Sequence, residues 1–224
     1  MRAAVNAVEV LVGPRGLAGT LACPAAARGV VLFAHGSGSS RSSPRNRSVA
    51  AVLHDHHVAT LLFDLLDEDE ARDRRRVFDI ELLAARLVEA VDWLESDDAP
   101  RLPGDIAHAA VGLFGASTGA AAALRAAAAQ PGRVAAVVSR GGRADLAGAA
   151  LAVVRAPTLL IVGGDDTEVL ALNRAALAEL RCEKRLEVIP GATHLFEEPG
   201  TLDAVARLAG AWFERHLGTA TDTA

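Results

Sequence analysis

The sequence predicts an α/β fold, with a mostly parallel β-sheet and helices on both of its faces. Short runs of apolar residues recur along the chain, and segments with helical periodicity separate them from about residue 29 onward. An unbroken apolar run is typical of a strand buried on both faces, as the strands of parallel sheets are. Strands that alternate with helices in this way indicate a parallel sheet, because each helix carries the chain back across a face of the sheet.

Length and composition fit one domain of ordinary size. The chain has 224 residues, of which 51% are hydrophobic and 23% are charged, so it can build a sizeable core. We expect a single domain over residues 1–218 and a disordered tail at 219–224. The net charge of −5 argues against a nucleic-acid partner, which would require a basic face.

Neither a signal peptide nor a membrane span is predicted. The first apolar segment is too short and too polar for a signal peptide, and no later run reaches the length of a membrane-spanning helix. Cys23 and Cys182 lie far apart and match no metal-binding or redox spacing. We therefore expect a cytoplasmic protein with reduced cysteines and no membrane partner.

Local signals predict the elements before residue 100. Two short strands joined by PRG suggest an opening hairpin, Pro44 suits the first turn of a helix, and Asp79 is a good helix N-cap. The charged run DEDEARDRRR predicts a solvated loop or frayed turn and not a binding patch. The predicted strands are 6–13, 17–23, 29–36 and 58–66, the helices run from Pro44 to about His56 and from Ile80 to Leu94, and the loop is 67–76.

The alternation is more regular after residue 100. The segment 118–129 is rich in alanine, which gives it a high helix propensity and a surface small enough to pack closely on a sheet. The last helix carries its large apolar residues, among them Trp212 and Phe213, at helical spacing. The predicted strands are 109–115, 134–140, 156–164 and 184–191, and the helices are 118–129, about 168–181 and 200–217.

Ser117 lies in the sequence GASTG, between a predicted strand and a predicted helix. A serine flanked in this way is typical of a nucleophile elbow, a turn so tight that only glycine fits two residues away on either side. The following helix would direct its N-terminal amides and the positive end of its dipole at developing negative charge. The alternative is a helix cap that happens to be flanked by glycines.

A serine nucleophile needs a base, and the base needs an acid that orients it. In elbow folds the acid and then the histidine follow the serine along the chain, each on a loop after a later strand. Asp165 and Asp166 end one predicted strand, and His194 follows the last one. The residues arrive in the expected order, which predicts a triad of Ser117, one of these two aspartates and His194.

The loop HGSGSS follows the third predicted strand, where an oxyanion hole takes one of its backbone donors. We expect the N–H groups of Ser37 and Thr118 to hold the oxyanion, with Gly36 and Gly38 letting the substrate approach. His35 is expected to be structural and to hold this loop by a hydrogen bond.

Together, Ser117 in GASTG, the acid in LLIVGGDD, His194 in PGATHLFEEPG and the HGSGSS loop resemble an α/β-hydrolase, and the resemblance covers the whole chain. The compact layout is similar to the dienelactone hydrolase family. This resemblance implies an α/β-hydrolase fold without a large cap domain and an esterase-like activity. In the family's pattern the acid stands three residues after the first glycine that ends the strand, which from Gly163 selects Asp166.

At the nucleophile, the sequence differs from the pattern of the family that it resembles. Dienelactone hydrolases use a cysteine nucleophile, whereas this sequence has Ser117. Some similar hydrolase domains are fused to a phosphoribosyltransferase domain, but this sequence has no phosphate-cradling segment of its own for that activity.

We therefore expect a serine hydrolase that cleaves a small ester, lactone or thioester through an acyl-enzyme, without a metal or an organic cofactor. An acyltransferase with the same triad and a non-catalytic binding module are the alternatives. Arg140 and Arg41 follow predicted strand ends and are candidates for substrate binding, with Arg140 reading a negatively charged acyl group. Ion pairs with nearby carboxylates are the alternative for both arginines.

Two further patterns suggest other sites. GSGSSR followed by Asp64 resembles a damaged dinucleotide fingerprint, with Arg41 in place of the third glycine. HDHH at 54–57 could bind a metal, although histidines at a helix end are more often exposed capping residues. His108 and His216 are expected at the surface or in packing.

Overall fold

A computed structural model describes residues 5–100 and 109–218. Its eight strands form one sheet in the order β1-β2-β4-β3-β5-β6-β7-β8. β1 and β2 form an antiparallel hairpin and β2 runs antiparallel to β4, whereas β3 to β8 are mutually parallel. The strands are β1 Val5–Val12, β2 Leu17–Pro24, β3 Gly29–Ala34, β4 Val58–Phe63, β5 Ala110–Ala116, β6 Val134–Arg140, β7 Thr158–Gly163 and β8 Lys184–Ile189. The predicted α/β fold and opening hairpin are confirmed.

Six α-helices in the described residues cover the two faces of the sheet. They are α1 Pro44–Asp55, α2 Arg74–Val77, α3 Ile80–Trp93, α4 Thr118–Ala129, α5 Thr167–Glu179 and α6 Thr201–Leu217. Side chains alternate between the faces with the two-residue period of a strand. In β3, Val30 and Leu32 pack with α3 and α4, whereas Val31 and Phe33 pack with α1 and α6. Both halves of the core therefore rest on the same sheet.

The segment 67–76 is largely exposed, as predicted for a solvated loop or frayed turn, but the sequence does not predict that Glu70 turns inward. This segment contains a 3₁₀ turn, Glu70–Arg72, followed by α2, and Glu70 is only 5% exposed. Its carboxylate lies 2.7 Å from a guanidinium nitrogen of Arg76 and 3.0 Å from one of Arg86. A carboxylate can be buried when it is paired and hydrogen-bonded. In a segment of consecutive charged residues, the sequence does not indicate which side chain is buried.

The connection between β6 and β7 is short, as the sequence predicts. It holds only a 3₁₀ segment, Ala144–Val153, which kinks at Gly148. No cap domain is inserted there. Two sequence predictions, the tail at 219–224 and the place of His108, lie outside the described residues, and the single-domain boundary stays a prediction.

Candidate active site

The sheet order brings the loops with the predicted site residues together at the carboxyl ends of the parallel strands. Ser117 follows β5, which lies between β3 and β6. The loop after β3 approaches it closely, since a Cβ on Gly36 would lie 3.0 Å from the Cβ of Ser117. From the other side, the loop after β8 reaches back, and a Cβ on Gly141 would lie 3.1 Å from the backbone oxygen of His194. The carboxyl ends of parallel strands are where such α/β folds bind ligands.

Ser117 has the backbone of a nucleophile elbow. Its φ of 51° and ψ of −124° are strained for any residue with a side chain. A Cβ on Gly115 would overlap the backbone of Ala120, and a Cβ on Gly119 would overlap the carbonyl oxygen of Ala34. Both flanking glycines are therefore required by close packing of the turn.

The helix-cap alternative for Ser117 does not fit this geometry. Ser117 occupies the N-cap position of α4, but its side chain makes no capping hydrogen bond. Its backbone is fixed instead by the neighbouring strand end, because its N–H donates to the carbonyl of Arg140 at 3.3 Å and its own carbonyl accepts from Arg143 N–H at 3.0 Å. Within residues 5–100 and 109–218, the Ser117 hydroxyl has no hydrogen-bond partner and is available for another task.

Asp166, and not Asp165, contacts His194. The Asp166 Oδ2 atom lies 2.7 Å from His194 Nδ1, while Asp165 is exposed. Asp166 is also the N-cap residue of α5 but makes no side-chain cap, so its carboxylate is directed at the histidine. This bond assigns the proton to Nδ1 and leaves Nε2 as the acceptor. Between described residues, no hydrogen bond yet joins Ser117 to His194, as is common without substrate.

The loop after β3 is held by His35, as predicted. Leu65 N–H donates to His35 Nε2 at 3.2 Å, and His35 Nδ1 lies 3.1 Å from the carbonyl oxygen of Gly36. Since Nε2 accepts, Nδ1 must carry the proton and donate. Burial lowers the pKa of His35, which keeps the ring neutral and both hydrogen bonds in place.

Ser37 differs from the sequence prediction in one respect. Its N–H donates to the hydroxyl oxygen of Thr118 at 3.0 Å, so this amide is not free in the structure. Thr118 itself is buried at the first turn of α4. The sequence predicts a role only for the amide of Thr118, because a GxSxG motif carries no information on the side chain that follows the serine.

The two candidate arginines have different surroundings. Arg41 is ion-paired with Glu9 at 2.7 Å and with Asp64 at 3.3 Å, which are the contacts of the ion-pair alternative, and its substrate-binding role stays a prediction. The ion pair with Arg41 also occupies the carboxylate of Asp64, which a dinucleotide-binding site would need for the ribose. Arg140 is 7% exposed, and no hydrogen bond or ion pair to its guanidinium is present among residues 5–100 and 109–218.

The guanidinium of Arg140 lies over the ring of Phe196, 5.9 Å from its centroid. Burial, together with the charge of Arg45, lowers the pKa of Arg140 to about 10. Arg140 therefore stays charged at neutral pH. Arg45 already pairs with Glu197 at 3.1 Å, so Arg140 is a buried cation beside the candidate site without a carboxylate of its own in the described chain.

The histidines at 54–57 bind protein groups and not one another. His54 lies 2.8 Å from the hydroxyl of Thr60, His56 lies 2.9 Å from Glu214, and His57 lies 3.2 Å from a backbone carbonyl. His216 packs against Trp212. In the part of the chain that the structure describes, no three His, Cys, Asp or Glu side chains are grouped as a metal site, and no helix there is both long and apolar enough to cross a membrane.

Comparison with known proteins identifies the relatives of this chain, although no family model matches it. It is 56% identical to a dienelactone hydrolase from Anabaena variabilis, covering 97% of this chain and 100% of that one, with a TM-score of 0.89. Two Mycobacterium tuberculosis proteins named as phosphoribosyl transferases are 58% identical over 210 residues, which is 94% of this chain and 46% of theirs. The chain thus spans about half the length of these curated relatives.

A more distant neighbour shares the fold alone. The esterase domain of a Rhodothermus marinus protein is 21% identical, over 96% of this chain and all of that one, with a TM-score of 0.69. The elbow at Ser117 and the mostly parallel sheet are consistent with the close match to the Anabaena variabilis enzyme. The chain belongs to the dienelactone hydrolase family of α/β-hydrolases.

Proposed function

We propose that this hydrolase cleaves a small ester, lactone or thioester through an acyl-enzyme formed on Ser117. The observation that carries the proposal is the 2.7 Å hydrogen bond between Asp166 and His194, on loops that meet the elbow of Ser117. An aspartate that orients a histidine, on a loop that packs against Gly141 close to the strained turn of Ser117, supports nucleophilic acyl transfer. Neither role depends on a metal or an organic cofactor.

In the first half of the reaction, the Ser117 hydroxyl oxygen attacks the carbonyl carbon and His194 Nε2 takes the hydroxyl proton. Asp166 stabilises the imidazolium that results without taking the proton itself. When the tetrahedral intermediate collapses, His194 returns the proton to the leaving oxygen or sulfur, and the acyl-enzyme remains. Water then repeats the sequence, with His194 as base, and releases the acid.

The negative charge of the tetrahedral intermediate needs donors at the N-terminus of α4. We assign this role to the backbone N–H groups of Thr118 and Ser37. The Ser37 amide now donates to the Thr118 hydroxyl, so the oxyanion would replace that hydroxyl as its acceptor. Loss of one such donor typically costs about 3 kcal/mol of transition-state stabilisation.

Arg140 would bind a carboxylate or phosphate on the substrate. Arg140 is only 7% exposed. Burying a guanidinium that has no partner costs free energy. An anionic group on the ligand would supply the missing partner through two parallel hydrogen bonds. Arg140 ends β6, directly beside the end of β5 that precedes Ser117, so the anionic group would sit near the reacting ester.

The competing function is acyl transfer to an alcohol or amine by the same residues. The Mycobacterium tuberculosis relatives are named as transferases, but this chain matches only 46% of their length. The nucleophile elbow in the matched part supports acyl chemistry. A hydrolase and an acyltransferase differ in the second step only. Adding an alcohol or amine to the assay distinguishes them, since a transferase would form a new ester or amide in preference to the free acid.

The proposed reaction is tested with esters of several chain lengths and charges. Ser117→Ala should lower kcat by a factor on the order of 10⁶, as loss of a triad nucleophile typically does, and His194→Ala should be about as damaging. Ser42→Ala is the matched control, because this serine is exposed in the neighbouring loop, and it should keep full activity. Turnover retained in purified, folded Ser117→Ala would overturn the proposal.

A further inference from the structure

A cavity of about 890 Å³ opens beside the loop after β3. The turn between β1 and β2, the segment 64–78 after β4 and the start of α3 enclose it. Charged and apolar side chains both line it, and His35, Gly36 and Ser37 of the loop after β3 border it. The charged lining residues are Arg15, Arg41, Asp64, Asp67, Glu68, Arg72 and Arg74, and the larger apolar ones are Leu17, Leu66, Val77, Phe78 and Leu83. A volume of this size fits a ligand group larger than acetate, since ligand pockets span roughly 300–1,000 Å³.

The sheet order decides which half of an ester faces this cavity. The cavity lies over the ends of β2, β4 and β3, whereas Asp166 and His194 follow β7 and β8 on the opposite side of β5. His194 must reach the leaving oxygen in order to protonate it. The leaving group is therefore directed toward β6, β7 and β8, and the acyl group toward the cavity. Because Arg140 ends β6, an anionic group bound by Arg140 would then belong to the leaving half of the substrate, and not to the acyl half that the sequence predicts.

Phe78 lines the cavity with an aromatic ring that the fold buries only in part. Its side chain is 49% exposed, and the guanidinium of Arg74 lies 5.7 Å from its ring centroid. The exposed half of the ring is apolar surface that a ligand could still remove from water. An aromatic ring that faces a cavity can also stack with or pack against a ligand, and such contacts are worth about 0.5–1.5 kcal/mol beyond area burial.

The segment that carries Phe78 is fixed and not a free loop. The buried Glu70 binds Arg86 of α3 and Arg76 of α2, and the carboxylate of Asp67 accepts from the amide of Glu70 at 2.8 Å. These contacts attach the segment to α3 at Glu70 and hold its two ends together. The cavity wall is thus preorganised, which is the condition under which a site can select by shape.

We propose that this cavity is the acyl-binding site and that Phe78 selects acyl groups that carry an apolar ring. This inference rests on the proposed serine-ester hydrolysis and adds the class of acyl group. The ring would lie against Phe78 and the aliphatic lining, and its tether would pass the backbone of the loop after β3 to bring the carbonyl to Ser117.

The test compares two p-nitrophenyl esters that share a leaving group, the acetate and the 3-phenylpropanoate. The wild-type protein should have the higher kcat/KM for the 3-phenylpropanoate. Phe78→Ala should lower kcat/KM for that ester about tenfold, chiefly through KM, and change the acetate value less than twofold. Phe78→Trp should keep the preference, because it restores an aromatic wall.

Val153→Ala is the control, since Val153 is a 59% exposed apolar residue that does not line this cavity. It should leave both esters unaffected. Equal losses on both esters in Phe78→Ala, or a wild type without acyl preference, would overturn the acyl site while leaving the hydrolase function standing. Failure of the wild type to cleave either ester would overturn the hydrolase function, and the acyl site with it.

Discussion

Asp166 and Asp165 are adjacent and chemically identical, yet only Asp166 reaches His194. We predict that Asp166→Asn lowers kcat by about 10⁴, because an amide no longer selects the correct imidazole tautomer or stabilises the imidazolium. Asp165→Asn is the matched control, and we expect it to change kcat less than about threefold. Steady-state kinetics of both variants on one ester measure the difference. The reverse ranking would show that the loop after β7 holds Asp165 toward the histidine when substrate is bound.

Arg140 gives a second prediction at this scale. Arg140→Ala should lower kcat/KM about 10–100-fold for an ester that carries a carboxylate, which corresponds to roughly 1.4–2.7 kcal/mol of lost transition-state binding. A neutral ester of similar size should be affected less than threefold, because it has no charge for the guanidinium to bind. Paired assays of the two esters give the answer. Equal losses on both would make Arg140 a structural brace of the β6 end.

The local residues of this site could be predicted from the sequence, and the long-range ones only in part. GASTG specifies its own turn, so Ser117 could be placed from five letters. The hydrogen bond between the Ser37 amide and the Thr118 hydroxyl joins residues far apart in the chain, and no local pattern encodes it. Arg41 and Arg140 look alike in sequence, but only the fold brings Glu9 and Asp64 to Arg41.

At the scale of elements, the ion pair between Glu70 and Arg86 joins the segment 64–78 to α3. Arg86 is 2% exposed, so Arg86→Met should lower the free energy of unfolding by about 3 kcal/mol, the usual cost of leaving a buried charge short of its partner. Arg72→Met is the control, because Arg72 pairs with Asp69 at the surface, where such pairs contribute about 0–1 kcal/mol. Urea denaturation of both variants measures the difference. Equal, small losses would mean that Arg76 alone satisfies Glu70.

The same segment shows where prediction of elements fails. Strands such as β3 and β7 are buried along their whole length, and continuous apolar runs revealed them. The helix α2 and its neighbouring turn consist almost wholly of charged residues, so hydrophobic periodicity carries no signal there. Their folding depends on the ion pair between Glu70 and Arg86 of α3, and Arg86 lies outside the segment 67–76.

At the scale of the whole molecule, the short connection between β6 and β7 leaves the site without a cap domain. We therefore predict no interfacial activation and faster turnover of small soluble esters than of emulsified long-chain esters, because no lid needs to open on a lipid surface. Rates measured across the solubility limit of one ester series test this. A rate that rises sharply above the solubility limit would contradict the open site.

The central claim is that Ser117 is a nucleophile activated by His194 and Asp166, and covalent labelling tests it most directly. The folded protein is treated with a fluorophosphonate that reacts with activated serines, and peptide mass mapping locates the adduct. We expect one adduct per chain, on Ser117, with no labelling of Ser117→Ala and much slower labelling of His194→Ala. A folded wild-type protein that is not labelled, or an adduct on any other serine, would contradict the claim.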